Sequence, residues 1–151
     1  MEKISSAWPR DAVPKVKSIK VFEVELGRRL LVADESVFAV QIRNNDNDNE
    51  IIIPFLAVKP EILQRFPSVT VDMGAVKFVC NGAKVMRPGI TNFDSFKKGE
   101  IVVVRDQMHG KSLAVGIALE DSESAKSMTK GYVIDNLHYI SDKMWKAYKE
   151  I

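Results

Sequence analysis

The sequence predicts an α+β protein in two parts, a small N-terminal α+β domain over residues 1–68 and a second, strand-rich domain over residues 69–151. Three observations point there. Short β-branched runs alternate with turn signals along the whole chain. Only brief stretches of helical spacing interrupt them. Pro67 closes the first set of elements just before a new strand begins at Val69. A length of 151 residues suits one domain or two small ones packed together, with enough chain to bury a core without covalent staples.

In the first unit, residues 1–18 contain Pro9 and Pro14 and read as an irregular lead-in, with Lys15, Lys17 and Lys20 forming a short basic run. Ile19 to Leu26 alternates and is rich in Ile and Val, which predicts a strand. Leu30 to Val32 and Val37 to Ile42 predict two more, divided by the turn-prone Ala33-Asp34-Glu35-Ser36. Asn44 to Glu50 has no apolar member and predicts a solvated loop, with Ile51 to Ile53 as the returning strand and Pro54 interrupting it. Lys59-Pro60-Glu61 opens a short helix, because proline suits the first helical turn; Ile62, Leu63 and Phe66 form its apolar face.

In the second unit, Val69 to Asp72 predicts a strand. Gly74 to Cys80 has helical spacing and stops at Asn81-Gly82, since glycine accepts a positive φ at the end of a helix. Val85-Met86 leads into the tight turn Arg87-Pro88-Gly89-Ile90. Ile101 to Val104 and Leu113 to Leu119 predict a β-hairpin with His109-Gly110 near its tip. Ser122 to Met128 predicts a short helix capped by Ser122, Tyr132 to Ile134 a last strand, and Ser141 or Asp142 the cap of a terminal helix. Expected core members are Phe55, Leu56, Ile62, Phe66, Val79, Val103, Val115, Ile117 and Trp145.

Composition excludes several functions. The single cysteine, Cys80, rules out an intramolecular disulfide and a cysteine-based zinc cluster, and points to a reducing compartment. No apolar run approaches the ~20 residues that a membrane helix requires. Trp8, Pro9, Arg10 and Asp11 stand where a signal peptide would carry its apolar stretch, so a soluble, cytoplasmic protein is expected, with no membrane partner. His109 and His138 are the only histidines and lack metal-ligand spacing. Gly110-Lys111-Ser112 resembles the end of a phosphate-binding loop, but Arg105 replaces the required upstream glycine and the setting is a hairpin. The expectation is a non-enzyme without metal or cofactor.

Net charge is only +2, which announces no nucleic-acid binder, but its distribution is uneven. Residues 1–68 carry ten basic and ten acidic side chains, whereas residues 74–111 carry seven basic and three acidic ones. Within Val71 to Ile90, Gly74, Gly82 and Gly89 interleave with Lys77, Lys84 and Arg87. Glycine bends let a phosphate backbone approach closely, amides donate to its oxygens, and Lys and Arg supply charge. A tight turn with a solvated basic face explains the same residues.

Val71-Asp72-Met73-Gly74-Ala75, Val79-Cys80-Asn81-Gly82-Ala83 and Val85-Met86-Arg87-Pro88-Gly89-Ile90 together resemble the signature of the PUA domain. Val115-Gly116-Ile117-Ala118 and Lys130-Gly131-Tyr132-Val133 resemble its central and last strands. Phe66-Pro67 before it, and Asn136 to Ile140 with Trp145 after it, are similar to the family of the malignant T-cell-amplified sequence protein and its archaeal relatives. The resemblance implies that the second unit is a mixed β-barrel that binds structured RNA, a tRNA acceptor stem or rRNA, without catalysis. The RNA-contacting residues it implies are Gly74, Ala75, Lys77, Gly82, Lys84, Arg87, Pro88 and Gly89, with Lys130 on the opposite flank. It further implies action in translation on the small ribosomal subunit, with a partner carrying an initiation-factor-like domain. Two alternatives stand beside it: an accessory subunit that supplies a PUA domain to a tRNA-modifying enzyme, and a protein-interaction module.

Overall fold

The computed structural model describes residues 8, 9, 12, 18–43 and 49–150. The described residues form two sheets. The first is an antiparallel meander of β1 (Ile19–Glu25), β2 (Arg28–Ala33), β3 (Ser36–Arg43) and β4 (Glu50–Pro54), in that spatial order. Asp34 and Glu35, with φ of 51° and 67°, make the two-residue β2–β3 turn with the twist that such hairpins require. Most of the expected loop from Asn44 to Glu50 lies outside the described residues. The short helix α1 (Pro60–Leu63) comes next, with proline in its first turn.

The second sheet has the spatial order β6-β10-β9-β8-β5-β7. Its strands are β5 (Ser68–Val71), β6 (Val85–Met86), β7 (Ile90–Phe93), β8 (Ile101–Asp106), β9 (Ser112–Ala118) and β10 (Tyr132–Tyr139). Among these strands only β5 and β8 run parallel. β6 and β7 are opposite edges of this sheet, yet a three-residue 3-10 turn, Arg87–Gly89, joins them. So short a link forces the two edges together, and the sheet rolls into a nearly closed barrel. Helices α2 (Met73–Val79), α3 (Ser122–Ser127) and α4 (Lys143–Tyr148) complete the fold. The α+β class with a mixed β-barrel is therefore the architecture the protein adopts.

Two apolar clusters hold it. β8 is buried on both faces, which is why Ile101 to Val104 reads as a continuous apolar run rather than an alternation. Successive residues point to opposite faces. Ile101 and Val103 join the cluster shared with β2, β3, β4 and Met144, while Val102 and Val104 face the barrel interior with Val69, Val71 and Ile134. The first cluster thus crosses from one sheet to the other.

Several expectations need correction. Most of the lead-in, read as irregular or loosely ordered, lies outside the described residues, but Trp8 within it is fixed in place: it is 4% exposed, donates from Nε1 to the Ile52 carbonyl and packs edge-on against Phe66. Strand β7 is absent from the expected elements, because Thr91 and Asn92 dilute its apolar signal. β10 runs to Tyr139, not Ile134. Ser122 is not a cap: Asp121 holds that position, and the buried Ser122 hydroxyl accepts from the Phe96 amide instead. Asp142, rather than Ser141, caps α4 by accepting from Trp145 N. Ile62, Ile117 and Trp145 pack against the core half-buried; the other expected core members are fully buried.

Candidate nucleic-acid interface

Asp72 organises the start of α2. Its carboxylate accepts from the Ala75 amide at 2.9 Å, capping the helix, and its own amide donates to the Gly89 carbonyl at 2.9 Å. The second bond draws the Arg87–Gly89 turn against the helix. A Cβ on Gly89 would lie 3.2 Å from that of Ala75, so glycine permits this approach. The result is a groove of about 350 Å³ between α2 and the chain from Ala83 to Gly89. Gly74, Ala75 and Phe78 line one side, and Lys84, Met86, Pro88 and Gly89 the other.

Large apolar side chains stand open to solvent here. Phe78 is 58% exposed, Met86 47% and Tyr132 53%. Each aromatic carries a cation: Lys77 Nζ lies 5.1 Å from the Phe78 ring centroid and Lys84 Nζ 5.4 Å from that of Tyr132. Such pairs hold an ammonium group near a flat apolar face without burying it. An apolar floor with lysines on its rim can take the faces of unpaired bases and the charge of adjoining phosphates.

Five of the nine residues singled out from sequence line this groove: Gly74, Ala75, Lys84, Pro88 and Gly89. Lys77 is exposed beside it on α2. Lys130 is exposed two residues before Tyr132. Arg87 is turned inward: its guanidinium stacks 5.0 Å from the Phe93 ring, and Nη1 donates to the Ile90 carbonyl at 3.0 Å. Gly82 lies elsewhere. With φ at +92° it ends α2 on a separate crevice that Tyr139 also lines, and a Cβ there would meet the Tyr139 ring at 3.1 Å. Sequence reasoning missed Phe78, Met86 and Tyr132. Their type is ordinary core chemistry, and only their exposure marks them.

Three titratable groups away from the groove have shifted equilibria. Asp106 is buried at the β8–β9 turn, where amide donation from His109, then from Lys111, holds its carboxyl below the usual range. Burial pushes the Asp142 carboxyl up, but the His138 hydrogen bond, with donation from the Trp145 and Tyr139 amides, outweighs it and holds it low. Burial raises the Cys80 thiol. Among the described residues, no cluster of three or more His, Cys, Asp or Glu side chains could hold a metal ion. No helix among them is long and apolar enough to cross a membrane.

The family model for the PUA domain matches residues 67–140, which contain the groove. Translation machinery-associated protein 20 of Saccharomyces cerevisiae is 30% identical over 142 residues, covering 89% of this chain and 75% of that protein. Malignant T-cell-amplified sequence 2 of Homo sapiens is 29% identical, covering 94% of this chain and 79% of its own length. An uncharacterized protein of Methanocaldococcus jannaschii is 44% identical over 95 residues, which span 62% of this chain but only 59% of that protein. The crystal structure of a hypothetical protein from Pyrococcus horikoshii superposes with a TM-score of 0.80 at 25% identity, covering 97% of this chain and 91% of that one. The chain therefore belongs to the PUA-domain family that includes translation machinery-associated protein 20 and the malignant T-cell-amplified sequence proteins.

Proposed function

We propose that the protein is a non-catalytic RNA-binding protein of the translation machinery, acting in the cytoplasm and gripping structured RNA through the α2–β6 groove. One observation carries this reading: exposed Phe78, Met86 and Tyr132 stand together with Lys77 and Lys84 at the rim. A solvated basic surface needs no open aromatics, and a core has no use for exposed ones. Family membership supports the RNA class, and the names of the relatives support translation. The contact residues in this reading are Gly74, Ala75, Lys77, Lys84, Pro88, Gly89 and Lys130, with Gly82 and Arg87 shaping the loops. Residues 69–151 form the RNA-contacting domain and residues 1–68 a supporting one; the separate four-stranded sheet favours that division. The small ribosomal subunit is the proposed site of action, together with a protein partner carrying an initiation-factor-like domain.

The test is binding of labelled total tRNA and of purified small ribosomal subunits across a salt series, by wild type and by Lys84→Ala. Binding that weakens with salt, with a slope reduced by about 1 in the variant, is the expected outcome. Equal slopes would remove Lys84 from the contact. Failure of the wild type to bind either RNA would overturn the reading.

A further inference from the structure

β10 carries a bulge where its pairing with β9 slips between Asn136 and His138. Bulges re-aim side chains, and three consecutive residues here reach in two directions. Asn136 reaches toward the groove. Its Nδ2 donates to the Val79 carbonyl at 3.0 Å and to the Ala83 carbonyl at 3.1 Å. Val79 is the last residue of α2, and Ala83 immediately precedes Lys84. One amide group therefore holds both ends of the turn that delivers Lys84 to the rim. Both partners are acceptors, so the orientation of the amide is set, and its buried Oδ1 has no hydrogen-bond partner among the described residues. Leu137 and His138 reach the other way, to β2 and to the segment between β4 and α1. The Leu137 carbonyl accepts from Arg28 Nη1 at 2.8 Å, and His138 Nε2 accepts from the Leu56 amide at 3.1 Å.

We propose that Asn136 is a positioning residue for the groove, holding the 80–83 turn so that Lys84 meets RNA. The RNA part of this inference rests on the function proposed above. Within the turn, the Gly82 amide bonds to Val79 O and the Ala83 amide to Phe78 O, so it keeps some bonds of its own without Asn136. Loss of the amide should therefore loosen the turn without unfolding the barrel.

The experiment is a double-mutant cycle on tRNA binding with Asn136→Ala, Lys84→Ala and the pair, repeated over a salt series. Asn136→Ala should weaken binding about fivefold, the equivalent of one lost hydrogen bond. Its salt slope should fall by about 1, as for Lys84→Ala, and the double variant should bind no more weakly than Lys84→Ala alone. A merely structural role lowers the folded fraction and leaves the slope untouched. Additive effects, or an unchanged slope, overturn the proposal. Amide hydrogen exchange on free protein gives a second readout, with Asn136→Ser as the milder variant. Exchange at residues 82–84 should accelerate while that of β8 and β9 stays slow. Unchanged exchange there overturns the positioning role. If wild type binds no tRNA, the cycle is run on small ribosomal subunits; if it binds neither, the RNA reading fails and the exchange result alone decides whether Asn136 positions the turn.

Discussion

Phe78 and Phe55 are the same residue in opposite circumstances. Phe55 has no exposed surface; it stacks on His138 at 5.0 Å and Trp145 at 5.9 Å, and Tyr148 lies 4.9 Å away. That aromatic cluster joins the end of the first sheet to β10 and α4. Phe78 is more than half exposed, its nearest charged companion a lysine on the same helix. Both sites bring aromatic rings beside ionisable groups. In the first the rings face one another and exclude water. In the second they stand exposed to solvent, each with a lysine ammonium over its ring. The difference lies in whether the fold buries the ring among other rings or leaves it at the surface beside a mobile charge.

Truncating each ring should separate the two sites. Phe55→Ala removes a fully buried ring from the joint and should destabilise the protein by about 3–5 kcal/mol, read as a drop in the denaturation midpoint. At a temperature where the variant remains folded, its RNA affinity per folded molecule should match wild type. Phe78→Ala should do the reverse. Stability should stay within about 0.5 kcal/mol, as for a surface substitution, while RNA binding weakens by about 1–3 kcal/mol if a base stacks there. Equal RNA affinity in wild type and Phe78→Ala would place the RNA on another face.

The third expectation is smaller and concerns pH. Asp142 and Asp106 both have carboxyls held below the usual range in the folded protein. A group whose folded pKa is depressed stabilises fully above its unfolded pKa of about 3.9 and loses that contribution as pH falls through the folded value. Thermal unfolding should therefore show stability flat near neutrality and declining below pH of about 4. Asp142→Asn keeps a capping side chain on α4 but cannot titrate, so its decline on acidification should be shallower. An identical acid limb would mean that the His138–Asp142 contact contributes no pH dependence. RNA affinity measured above that range should not respond, because neither carboxylate lines the groove.

Much of the fold was legible in the residues because it rests on local chemistry. Proline at the start of α1, the asparagine–glycine end of α2 and the Pro-Gly turn before β7 each impose a backbone geometry whatever surrounds them. The strand runs and the β8–β9 hairpin arise from β-branched residues and turn chemistry. The candidate site was legible in part, since its glycines and lysines recur at fixed spacing. Arg87 shows the limit of that reading. A guanidinium at a glycine-rich turn suggests a phosphate ligand, but spacing does not disclose that this one also meets Phe93 and the Ile90 carbonyl.

Chain order alone could therefore determine an α+β class, a strand-rich second unit and a basic, glycine-punctuated loop, and the resemblance of its motifs to the PUA signature implied the barrel. Tertiary structure decided the rest, because burial is a property of the assembled surface. It sent Trp8 and even the polar His138 inside and left Phe78, Met86 and Tyr132 outside, an order that side-chain type alone would not give. It also made Asn136 a clamp on Val79 and Ala83, residues 57 and 53 positions away. No local pattern encodes a contact of that span; it exists only once β10 lies beneath the end of α2.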